Sequence, residues 1–78
     1  MAFSDLEGDA LLSVKGVGAT VVKRFEEIGI DTFSDLATYQ ADDIAERVAS
    51  MLKTTCWKNS PQAKAAIEAA ILRAQEGL

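Results

Sequence analysis

The chain has 78 residues, 49% of them hydrophobic and 26% charged, with a formal net charge of −4 at pH 7 and a single proline. A chain of this length and apolar content folds as one small domain burying roughly 60–65% of its unfolded surface, which excludes a two-domain protein and a disordered tail. One cysteine, Cys56, excludes an internal disulfide, and no apolar stretch approaches the roughly 18–20 residues of a membrane span.

The predicted fold class is all-α, a compact bundle of about five short helices. Alanine recurs throughout, β-branched residues never form a long alternating run, and no Asn-Gly or Asp-Gly hairpin signal occurs. The opening MAFSDLEGDA has neither a basic n-region nor an apolar h-region, so a cytoplasmic protein without a membrane partner is expected.

The first helix is short and ends near Val14, with Ser4 and Glu7 at capping-box spacing and Gly8-Asp9 as an alternative, later start. After Gly16-Val17-Gly18, a second helix is predicted from Ala19 to Ile28, its apolar face made by Val21, Val22, Phe25 and Ile28. Gly29 is the C′ residue of a Schellman-type stop, with Ile30 supplying its hydrophobic contact. Asp31 or Thr32 caps a short connector helix carrying Phe33, Leu36 and Ala37. A fourth helix from Ala41 to Leu52 places Ile44, Ala45, Val48, Met51 and Leu52 on a buried stripe. Its Asp42 and Asp43 complement the helix dipole, which accounts for the pair without a metal. A polar turn from Lys53 to Ser60 comes next, and Ser60 with Pro61 opens a fifth helix whose Ala63, Ile67, Ala70, Ile71 and Ala74 face the core before it stops at Gly77.

The order reads as two similar halves joined by the connector: a first half of about residues 9–29, a connector of about 32–39 and a degenerate second half of about 41–76. Charge is segregated along them. Residues 13–25 hold Lys15, Lys23 and Arg24 and no acid, and residues 47–67 hold Arg47, Lys53, Lys58 and Lys64 and no acid. The intervening 26–46 hold only acids, among them Glu26, Asp35, Asp42 and Asp43. If the halves pack about a pseudo-two-fold axis, both turns share one side and their bases form one patch, with the acidic start of the fourth helix facing elsewhere.

Two glycines bracketing one small apolar residue between helical patterns specify a tight hairpin that aims amides outward at a helix start, where an anion is stabilised. Gly16 and Gly18, with Lys15, Lys23 and Arg24 around them, are therefore the candidate phosphate-contacting residues, and Lys53, Lys58 and Lys64 a candidate second patch. Trp57 is read as closing the core between helices four and five, the alternative being a stacking platform for a base. Cys56 is expected to be buried. With no histidine to serve as base, no catalytic constellation is present, so no enzyme activity is expected.

Leu11, Val14, Gly16, Val17, Gly18, Val22, Phe25, Gly29 and Ile30 together resemble the helix-hairpin-helix family of DNA-backbone-binding modules. The stretches Thr32-Phe33-Ser34-Asp35-Leu36-Ala37 and Asp42-Asp43-Ile44-Ala45 resemble the segment that commonly trails this motif in tandem, SAM-domain-like versions of the fold. The resemblance implies that Gly16 and Gly18 donate amides to phosphate without reading bases, with Val17 packed inward. Lys15, Thr20, Lys23 and Arg24 supplement them. It also implies a monovalent cation on the hairpin carbonyls as the one candidate cofactor, and DNA as the leading partner with RNA the other polyanion.

Lys15 stands where the family often has Pro, Val22 where it has a small residue, and the second turn lacks glycine. One hairpin plus Coulomb attraction would then carry binding. The alternative function is a protein-interaction or adaptor domain of the same fold, with a protein partner or a homo-oligomer, which the negative total charge favours.

Overall fold

The computed structural model describes residues 3–53 and 59–77; Cys56, Trp57 and Lys58, with the readings attached to them, lie outside the described residues. Within these, the chain is all-helical: α1 (Asp5–Leu12), α2 (Ala19–Glu27), α3 (Phe33–Leu36), α4 (Ala41–Leu52) and α5 (Pro61–Glu76).

Side-chain caps set three of the starts. Ser4 Oγ accepts the Glu7 N–H at 3.3 Å, Thr32 Oγ1 accepts the Asp35 N–H at 3.1 Å, and Ser60 Oγ accepts the Ala63 N–H at 3.2 Å, with Pro61 in the first turn. Each cap satisfies an amide that the helix itself leaves without an acceptor. Helix α1 thus begins at the earlier of the two expected starts, runs through Gly8, and ends at Leu12, short of Val14.

The end of α2 is a Schellman stop. The Ile30 N–H reaches the Phe25 carbonyl at 2.9 Å and the Gly29 N–H the Glu26 carbonyl at 3.1 Å, with Gly29 at φ +92°. Ile30 then inserts into the core at 1% exposure. The stop therefore turns the chain and anchors it in one step.

The core draws on every helix. Leu11, Phe25, Leu36, Ile44, Val48 and Ile67 are fully buried, and no polar or charged residue is buried among the described residues. Helix α5 packs on α1, α3 and α4, while α2 packs on α1 and α4. In α5 the buried residues are Ala66, Ile67, Ala70, Ile71 and Ala74, and Ala63 is only partly covered.

In α4, Ile44, Ala45, Val48 and Ala49 are buried, but Met51 and Leu52 are each 37% exposed, contrary to the expected stripe. Periodicity identifies the face on which they lie; whether another element covers the last turn of that face is a tertiary matter. The helix ends on Lys53 in the left-handed region, φ 56° and ψ 43°.

Candidate nucleic-acid backbone interface

The chain between α1 and α2 is a tight turn. The Val14 N–H reaches the Leu11 carbonyl and the Val17 N–H the Val14 carbonyl, both at 3.0 Å. The second bond closes a four-residue turn with Gly16 at its third position and φ +90°, a geometry that glycine adopts without strain. Val17 is 5% exposed and belongs to the same buried core cluster as Leu11, Val22 and Phe25, so the turn is anchored in the core.

Gly18 differs in kind from Gly16. It is the N-cap of α2 in extended backbone, φ −108° and ψ 178°, which any residue adopts. A Cβ built there meets nothing within 4 Å. Neither backbone angle nor close packing therefore requires glycine at this position, although glycine is among the residues favoured at an N-cap. Its consequence is electrostatic and steric: no side chain caps α2, whose first intrahelical bond is Val22 N–H to the Gly18 carbonyl at 3.2 Å. The amides of the first turn are left without an intrahelical acceptor at the positive end of the dipole.

Lys15, Gly16, Gly18, Ala19, Thr20 and Lys23 are exposed around this bend. No acid lies in the first turn of α2, and none in the sequence between Leu11 and Phe25. Arg24 is half-buried and pairs with Glu27 one turn on, which directs its charge along α2 and tempers it. Of the hairpin carbonyls, those of Val14 and Gly18 accept backbone N–H groups, and those of Lys15, Gly16 and Val17 have no donor among the described residues.

The second group of bases is arranged otherwise. Lys53 is exposed as the left-handed cap of α4. Lys64 Nζ lies 2.6 Å from Asp42 Oδ1, and this hydrogen bond with its Coulomb attraction, aided by Glu68, holds the ammonium above the ordinary lysine value. The acidic start of α4 thus faces a member of the second patch instead of turning away from it. The two block charges could be read in sequence, but helix packing decides which ends meet.

Two carboxylates have structural roles that were not legible in the sequence. Glu26 Oε2 accepts the Phe3 N–H at 3.0 Å, and Glu7 Oε2 accepts the Phe33 N–H at 3.2 Å. Comparison of the chain with protein-family models, with curated proteins and with solved structures finds no match to any of them.

Proposed function

We propose that the α1–α2 hairpin binds phosphate oxygens of a nucleic-acid backbone, DNA foremost, without reading sequence. The observation that carries this reading is the bare Gly18 cap: a glycine that neither backbone angle nor space requires, at an exposed, acid-free helix start. Serine or aspartate there would serve the helix as well or better, but each would place an oxygen where an oxyanion would sit. Lys15 and Lys23 add charge, Thr20 adds a hydroxyl, and Gly16 lets the backbone approach closely.

The site supplies amides, ammonium groups and one hydroxyl, and the chain has no histidine to serve as a base, which supports reading the module as non-enzymatic. In this reading the domain is a pseudo-duplicated helix-hairpin-helix, SAM-domain-like in arrangement, whose second half does not repeat the glycine turn. Its place is the cytoplasm. With few phosphate contacts, affinity of about 10⁻⁴ to 10⁻⁶ M is expected at ordinary salt.

Fluorescence anisotropy with labelled duplex DNA, single-stranded DNA and RNA at low salt tests the proposal. Binding weakened by Gly18→Asp, and by Lys15→Glu with Lys23→Glu, supports it. Absence of binding to all three, or binding indifferent to these changes, would overturn it in favour of a protein-interaction domain.

A further inference from the structure

A groove of about 510 Å³ separates the α3–α4 junction from α5, within the range of sites that take small ligands and short segments. It shares no residue with the hairpin, so its occupancy is independent of the nucleic-acid reading.

The groove is built by one stripe of α5. Lys64, Glu68, Leu72 and Gln75 recur at helical spacing beside the buried Ile71, which also lines the groove, and on the side away from the core residues Ala66, Ile67, Ala70 and Ala74. The opposite wall is Tyr39, Gln40 and Asp42. Each end is crossed by a polar contact: Lys64 to Asp42 at one, and Gln75 Nε2 to the Ala37 carbonyl at 3.4 Å at the other. Between Lys64 and Gln75 a helix rises about 16 Å, the length of about five residues of extended chain.

Its chemistry selects the occupant. Leu72 is 61% exposed beside the groove floor, offering apolar contact that the fold itself leaves wet. The walls carry two carboxylates, Asp42 and Glu68, against one ammonium, Lys64. The adjoining depression on α4 is lined by Asp43, Glu46, Arg47 and Ser50, and the Arg47 guanidinium lies 5.2 Å from the centre of the Tyr39 ring. A polyanion is disfavoured here, and a cationic, apolar-tipped chain is matched.

We propose that this groove binds a short extended segment of a partner protein, about five residues long, with a leucine-like side chain against Leu72 and a flanking lysine or arginine on Glu68.

An amide-resolved NMR titration of the full chain with the peptide acetyl-Lys-Leu-Lys-Leu-Lys-amide tests it. Saturable shifts confined to residues 39–42 and 64–75 are expected. Glu68→Lys and Leu72→Ser should each weaken binding about tenfold, while Leu6→Ser, an exposed leucine on α1, and Lys15→Glu should leave it unchanged. Both groove positions are exposed, and Gln40→Arg provides a further test should either variant lose its native amide dispersion. Failure to saturate, shifts elsewhere, equal binding of the Lys-Ser-Lys-Ser-Lys analogue, or insensitivity to the groove variants would each overturn the proposal. So would concentration-dependent shifts of the same residues without peptide, which would identify a second copy of this chain as the occupant.

Discussion

Glu7 joins two helices through one carboxylate: its Oε2 accepts the Phe33 N–H at 3.2 Å, while its Oε1 accepts the Ser4 hydroxyl at 3.4 Å. The Phe33 amide opens α3, so a side chain in the first turn of α1 satisfies a donor that α3 alone would leave unmet. The hairpin lies between these helices in the chain, and the link helps fix α1, one of its two arms.

Replacing Glu7 by Ala removes that acceptor and should cost about 1–2 kcal/mol, the range of a hydrogen bond to a charged group in a partly exposed setting. Glu7→Gln keeps an acceptor and should cost less. Urea denaturation followed by circular dichroism distinguishes the two. Equal losses would mean that charge, and not the hydrogen bond to Phe33, matters.

The two hairpin glycines should separate in experiment. Gly16→Ala forces a Cβ into φ +90° and should destabilise by about 1–3 kcal/mol. Gly18→Ser supplies a good N-cap and should be neutral or stabilising by a few tenths of a kcal/mol. Thermal unfolding of both variants checks the stability contrast, and anisotropy of Gly18→Asp checks whether the freed amides bind anions.

If Lys23 contacts a phosphate, Lys23→Gln should weaken oligonucleotide binding without regard to sequence. It should also flatten the plot of log affinity against log salt by about 1. A slope equal to that of the unaltered chain would remove Lys23 from the interface.

Lys53 is the one non-glycine residue with positive φ among the described residues. Lys53→Gly should therefore stabilise the domain by about 0.5–1 kcal/mol, because relief of left-handed strain outweighs glycine's greater unfolded-state freedom. For a domain of this size each kcal/mol raises the unfolding midpoint by about 4–8 °C. A lowered midpoint would mean that the Lys53 side chain itself contributes more than its backbone strain costs.

The ion pair of Lys64 with Asp42 carries a pH signature. Because the pair raises the Lys64 pKa above 10.5, its contribution is fully present below that value and is lost as pH rises through the folded-state pKa. The stability difference between the unaltered chain and Lys64→Met should shrink between neutral and strongly alkaline pH. A difference that stays constant across that range would show that the pair does not act through charge.

By itself the sequence determined what depends on near neighbours along the chain. The cap at Ser60, the glycine stop at Gly29 and Ile30, the span of α4, and the turn at Gly16 all involve residues within a few positions of each other, where backbone geometry and residue chemistry suffice; for α1 and α3 the sequence offered two starts each, and the structure selected Ser4 and Thr32. Only the tertiary structure decided what depends on which surfaces meet. It linked Glu7 to Phe33 and Lys64 to Asp42, left Met51 and Leu52 half-covered at the end of an otherwise buried stripe, and opened a groove along α5. It also showed that Gly18 has extended backbone and empty space around it, a distinction from Gly16 that no spacing rule supplies. Local periodicity names a helix face, but the element that covers it is selected by packing the whole chain at once.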